Sequence, residues 1–127
     1  MKRMLACVLT AVLCLSLSAC TVYSYTPGAP AEPVFTPGIY DVTVPGHNGD
    51  VRVEVTFDEY RVKKIEVLSH TESAGLGDAA MQTVADAIIA RQSFAVDTVG
   101  GATYSSAAML QAVALAARAA GAPAPEF

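Results

Sequence analysis

From Val51 to Asp58 the side chains alternate without a break, with Val51, Val53, Val55 and Phe57 on one side and Arg52, Glu54, Thr56 and Asp58 on the other. Successive side chains of an extended chain point to opposite faces, so this octet is a strand with one face buried and one in water. Its neighbours extend the pattern into a sheet. Residues 39–44 alternate more loosely as a preceding strand, and Pro45-Gly46-His47-Asn48-Gly49-Asp50 is a turn cluster. After the short connection Asp58-Glu59-Tyr60, residues 61–69 supply a third strand. Three sequential strands with short turns favour an antiparallel meander.

The period then changes. Met81, Val84, Ala85, Ile88 and Ile89 recur at helical spacing over residues 77–91, with Asp78, Gln82 and Asp86 elsewhere on the surface. Residues 93–99 form a connection with room for a short edge strand, and a second helix is predicted from Tyr104 to about Ala120, ended by Gly121. Gln111, Arg118 and its length make that second helix a buried one packed on the sheet, not a membrane span. The expected fold class is α+β: an antiparallel meander of three or four strands packed against two helices.

The front of the chain reads differently. Met1-Lys2-Arg3 is basic, Leu5 to Leu17 is an apolar run, and Leu17-Ser18-Ala19-Cys20 matches a bacterial lipobox. Residues 1–19 are expected to be a lipoprotein signal peptide, with Cys20 the lipidated residue of the mature protein. The closely spaced prolines after it disfavour regular hydrogen bonding, so residues 20–36 read as a lipid-bearing, semi-rigid tether. A folded domain over residues 37–121 and a flexible tail over 122–127 complete the organisation. Extracytoplasmic, lipid-anchored localisation on a bacterial membrane follows from this reading.

Removal of residues 1–19 has chemical consequences. The three cysteines are Cys7, Cys14 and Cys20, so two leave with the signal and lipid consumes the third. No thiol is left for a disulfide, a zinc site or thiol redox chemistry. His47 and His70 have no metal-site spacing, and no Cys-x-x-Cys-His for heme attachment occurs. Loss of Lys2 and Arg3 leaves 6 basic against 12 acidic residues, a formal charge of −6. That argues against nucleic acid, which requires clustered Lys and Arg, and predicts that the domain stays off an anionic membrane on its tether.

Two motifs remain. Asp97-Thr98-Val99-Gly100-Gly101-Ala102-Thr103 precedes the second helix, and His70-Thr71-Glu72-Ser73 with Gly75-Leu76-Gly77 precedes the first. Taken alone, the first is a Gly-Gly turn with a Thr or Ser helix cap, and the second a solvated loop that caps a helix. Together, in this order and separation, they resemble the FMN-binding domain of the sodium-translocating NADH:quinone oxidoreductase C subunit, the Rnf complex G subunit and many small bacterial lipoproteins. The attachment pattern of that family is Asp, two variable residues, Ser or Thr, a small residue, Ala and Thr. Gly100 departs from it at the Ser or Thr position, and Ser73 replaces a commoner Thr in the second motif. The resemblance covers roughly residues 37–121.

The resemblance implies that Thr103 carries FMN through a phosphoester. A separate flavin transferase that uses FAD and Mg²⁺ and releases AMP would attach it, reading Asp97, Gly101, Ala102 and Thr103. Gly100, Gly101 and Ala102 leave the approach unobstructed, and a helix N-terminus favours the phosphodiester. By the same resemblance Glu72, Ser73, Gly75, Leu76 and nearby amides lie beside the isoalloxazine ring. The implied protein is an electron carrier between a membrane reductase or quinol pool and an external acceptor or terminal reductase, with no catalytic residue and no metal of its own. Two other functions fit the same residues. One is a non-redox envelope lipoprotein that uses the fold for interaction. The other is a small flavin-dependent reductase, against which the scatter of Arg52, Arg61, Arg91 and Arg118 counts.

Overall fold

The computed structural model describes residues 32–123. The expected signal peptide, Cys20 and most of the tether lie outside those residues, as do 124–127 of the tail. Strands β1 (Gly38–Pro45), β2 (Asp50–Phe57) and β3 (Val62–Ser69) form one antiparallel sheet in the order β1-β2-β3, followed by helices α1 (Gly77–Arg91) and α2 (Thr103–Ala119). The α+β meander is thus the observed fold. Both helices cover one face of the sheet, α2 over β1 and β2 and α1 over β3, and they pack against each other.

The core follows from the periodicities. Val51, Val53, Val55 and Phe57 of β2 are buried, as are Met81, Val84, Ala85 and Ile88 of α1. β3 lacks strict alternation, yet Val62, Ile65 and Val67 pair with Phe57, Val55 and Val53 on the core side. A register shift makes this possible, because Lys63 is an extra residue between Val62 and Ile65 that restores the inward parity; a second shift, at Leu68, follows Val67. α2 is rich in alanine, and Ala108, Ala112, Ala116 and Ala117 are buried beside Met109 and Val113. Of its exposed residues, Tyr104, Ala107, Gln111, Leu115 and Arg118 recur every three or four positions as one narrow wet stripe, with Thr103 and Ala119 exposed at the two ends. No helix among the described residues is long and apolar enough to cross a membrane.

The two ends of α2 are built differently. At its C-terminus Gly121 has φ +92°, with Gly121 N–H donating to Arg118 O and Ala122 N–H to Ala117 O, a Schellman ending. The chain enters beside it, since Thr36 N–H donates to Ala120 O at 2.6 Å and Val34 N–H to Glu59 O at 2.8 Å. Ordered contacts therefore begin before residue 37. At its N-terminus α2 starts one residue earlier than its sequence indicates, so Thr103 lies inside the first turn.

Residues 93–99 form no edge strand. Ser93 Oγ accepts from Ala95 N–H, and Val96 N–H folds back onto Phe94 O. The start of β3 is already occupied, because the Gln92 side chain accepts from Val62 N–H and donates to Val62 O, both at 2.9 Å. The sheet therefore stops at three strands.

Candidate functional site

Four segments meet at the end of the domain where β1 turns into β2 and both helices begin. They are the 46–49 turn, the 70–76 loop, the 99–102 turn and the first turn of α2. Glu72 joins three of them. One carboxylate oxygen accepts from the amides of His47 at 2.7 Å and Asn48 at 3.0 Å. The other accepts from the Ser105 hydroxyl on α2. Glu72 is 7% exposed, so these bonds replace water. A Cβ on Gly46 would lie 2.8 Å from both Gly49 O and Val51 Cγ2, and one on Gly77 would lie 2.9 Å from Ser105 Oγ. Glycine is required at both positions by close packing around this carboxylate.

The electrostatics follow from the partners. Burial opposes the charge on Glu72, but the Ser105 hydroxyl and then the Asn48 and His47 amides outweigh it and hold the pKa below its ordinary value of 4.5. A folded-state pKa lowered in this way contributes stability that is full above the unfolded-state value. That contribution is lost as pH falls through the folded-state value. The melting temperature should therefore be level above about pH 5 and fall below it, with the acid limb flattened in Glu72→Gln. An unchanged acid limb in Glu72→Gln would show that other carboxylates carry the effect.

The N-terminus of α2 has no side-chain cap. Ala102 is the residue before the helix, and no side chain accepts from the first-turn amides. Neither Thr103 nor Ser105 is a cap: Thr103 is exposed, and Ser105 is bonded to Glu72. Ser106 accepts from Val99 N–H at 3.0 Å and donates to Ala102 O at 2.9 Å, pinning the turn onto the helix. Val99 O accepts from Ala102 N–H at 3.1 Å, closing a β-turn with Gly101 at φ +83°. That φ selects glycine at the third turn position. Gly100 is not so constrained, because its φ is not positive and a Cβ there would meet nothing within 4 Å. Gly100→Ser is therefore expected to leave the melting temperature unchanged, whereas Gly101→Ala should cost about 1–2 kcal/mol in chemical denaturation. Equal losses in the two variants would contradict this turn geometry.

Beside the turn opens a cleft of about 160 Å³, lined by His47, Ser73, Leu76, Gly77, Gly101, Ala102, Thr103, Tyr104 and Ser105. The His47 and Tyr104 rings stack at 5.5 Å across its rim, and Tyr104 is 73% exposed. Ser73, Leu76, Gly101, Ala102 and Thr103, all singled out from the sequence, come together here. Glu72 lies beneath the cleft as a strut. Gly100, Gly75 and Asp97 are outside the lining: Gly75 makes the tight turn before α1 at φ +76°, and Asp97 is exposed on the segment leading into the 99–102 turn. The sequence reading missed His47, Asn48 and Ser105 as site residues. The Gly46-to-Gly49 turn was the available signal for the first two, and the serine after Thr103-Tyr104 for the third.

A family model for the FMN-binding domain matches residues 46–118, which run from the Glu72-bound turn to the last turn of α2. The chain belongs to the FMN-binding domain family. Among its relatives, NADH:acrylate oxidoreductase of Vibrio harveyi is 39% identical over 87 residues, covering 68% of this chain and 9% of that protein. Urocanate reductase of Eggerthella lenta is 38% identical over 85 residues, covering 67% of this chain and 14% of that protein. A protein of Treponema pallidum with no described activity is 34% identical over 85 residues and covered to 23%. The FMN-binding domain thus spans less than a quarter of each of these longer relatives.

The residues at the cleft suit FMN. An uncapped helix start offers unpaired amides and the positive end of the dipole to a phosphate. The exposed Thr103 stands on that same turn, and apolar and aromatic residues line the cleft with it.

Proposed function

We propose that this FMN-binding domain is an electron carrier held outside the cytoplasm by lipid on Cys20, with FMN esterified through its phosphate to Thr103. The observation that carries the reading is the exposed Thr103 hydroxyl on the first turn of a helix with no side-chain cap, at the edge of the cleft. Attachment balances as a phosphoryl transfer. Thr103 Oγ forms a bond to the FMN phosphorus of FAD, the pyrophosphate bond breaks, AMP leaves and the hydroxyl proton is released. A separate flavin transferase with Mg²⁺ performs this step, reading Asp97 and the Gly101-Ala102-Thr103 run.

When bound, FMN supplies one- and two-electron chemistry. The chain supplies position. Free amides at the start of α2 and its dipole favour the phosphodiester. Leu76, Tyr104 and His47 offer apolar and aromatic surface to the ring, and Ser73 and Gly77 line the same cleft. Glu72 keeps the walls at fixed separation. The cleft volume is below the roughly 300–1,000 Å³ of sites that enclose a drug-sized ligand. A tricyclic ring would be held along one edge with the remainder open, which suits exchange with partners. Covalent attachment then replaces enclosure as the means of retention.

One relative is named an oxidoreductase and another a reductase, and in each the similar segment is a small part of a longer chain. We infer that this chain serves a separate reductase, receiving electrons from a membrane reductase or the quinol pool. Among the residues lining the cleft there is no Arg or Lys to clamp a carboxylate substrate. The flavinylated protein should take up and return electrons in proportion to one FMN per chain, without turning over organic acids alone. Sustained turnover of such an acceptor by the isolated protein would favour a self-sufficient reductase instead.

A further inference from the structure

The strands and helices run end to end, so the domain has two poles, and their charges differ. The cleft pole carries Asp50, Asp78 and Asp97 and the buried Glu72, with no Lys or Arg in the 46–50, 70–80 or 97–106 segments that form it. At the opposite pole lie the β2–β3 turn, the last turns of α1 and α2 and the entering chain. Arg61, Lys63, Arg91 and Arg118 are all exposed there. Among the described residues Arg61, Arg91 and Arg118 make no ion pair, while Lys63 reaches Asp58 at 3.8 Å. Helix dipoles account for basic residues in the last turns of α1 and α2, but not for those on the β2–β3 turn.

The same pole is apolar as well as basic. Tyr60 is 47% exposed and Val34 45% exposed. Both line a cavity of about 370 Å³ with Phe35 and Phe94. Aromatic and apolar groups among cations are the composition of surfaces that sit at a lipid headgroup layer. The chain coming from Cys20 joins the fold at this pole, through the Val34 and Thr36 backbone bonds.

We propose that the pole formed by Arg61, Lys63, Arg91 and Arg118 around Tyr60 is a docking surface for anionic phospholipid headgroups, seating the domain with its cleft turned away from the bilayer. The proposal rests on the lipid anchor at Cys20 proposed above. The charge of −6 does not oppose it. α2 alone is about 25 Å long, and the Debye length at physiological ionic strength is about 8 Å. Carboxylates at the cleft pole are therefore screened from a membrane at the other. Of the acids at the basic pole among the described residues, Asp58 is engaged by Lys63 and by the amides of Tyr60 and Arg61, leaving Glu59 and Glu32 against three arginines that make no ion pair there.

The test is co-sedimentation of the mature chain carrying Cys20→Ser, so that no lipid assists, with vesicles of phosphatidylcholine alone or mixed with phosphatidylglycerol. Binding is expected only to the mixed vesicles and to vanish at high salt. At about 1 kcal/mol for each basic residue near an anionic surface, Arg61→Gln, Arg91→Gln and Arg118→Gln together should weaken it about a hundredfold. Asp50→Asn at the cleft pole should not weaken it. These side chains are exposed, and unchanged melting would confirm that the variants fold; Arg61→Gln alone, on a turn, provides a second variant with a smaller loss. Absent or salt-independent binding, or equal binding by the triple variant, would overturn the proposal. Mass spectrometry of detergent-extracted protein tests the anchor separately. Lipid on Cys20 without charge-dependent vesicle binding defeats the docking surface alone, and vesicle binding without lipid on Cys20 defeats the anchor alone.

Discussion

Glu72→Ala should lower the stability of the domain by about 2–4 kcal/mol, because it leaves the part-buried His47 and Asn48 amides and the buried Ser105 hydroxyl without their acceptor. For a domain of this size that corresponds to a fall of roughly 10–25 °C in melting temperature. The damage should concentrate at the cleft pole, where the 46–49 turn, the 70–76 loop and α2 are all held by this carboxylate. Hydrogen exchange should therefore accelerate at His47 and Asn48 before it does in the centre of β2. Glu72→Gln separates shape from charge. Its amide retains one acceptor oxygen for three donors, so an intermediate loss is expected. A Glu72→Ala domain that melts within about 2 °C of the unaltered one would show that the bonds contribute little beyond what water provides.

Thr103→Ala has the opposite profile. Alanine is at least as good a helix former as threonine, and the exposed Thr103 side chain caps nothing, so folding should be unaffected. Covalent flavin should be lost completely, since no second hydroxyl occupies the same position: Ser105 is bonded to Glu72 and Ser106 to the turn. Thr103→Ser keeps the hydroxyl and should keep some modification. Flavin that survives denaturation of Thr103→Ala would move the attachment site elsewhere, with Ser105 the nearest alternative.

How much of this was legible depends on how local each cause is. β2 could be read residue by residue because its two faces differ in every pair, and α1 because its stripe repeats at one period. β3 was legible as a strand but not in its register, since the extra residues Lys63 and Leu68 appear only when the partner strand is beside them. The missing edge strand has a similar origin. Gln92 takes the backbone positions of Val62 from 30 residues away, and nothing in residues 93–99 announces it.

The site divides in the same way. Thr103, Ala102 and Gly101 follow one another in sequence, so motif and geometry coincide. Glu72 was picked out for contact with a flavin, whereas its observed partners are His47, Asn48 and Ser105, which lie 25, 24 and 33 residues away. Spacing along the chain cannot show that a carboxylate is already taken. The overall acidic charge is a coarse guide for a related reason. It suggests a domain held off anionic membranes, and the vesicle test decides between that expectation and docking, because composition averages over two poles that the topology keeps apart.

The central claim is that Thr103 bears the flavin, and peptide mapping addresses it most directly. The exported protein, coexpressed with a flavin transferase, would be denatured, digested and analysed by mass spectrometry, with Gly100→Ser alongside. The account predicts one peptide, containing Thr103, heavier by one FMN less one water, with fragment ions placing the addition on Thr103 in both proteins. An unmodified Thr103 peptide in both, from cells whose transferase modifies a control protein, would contradict it.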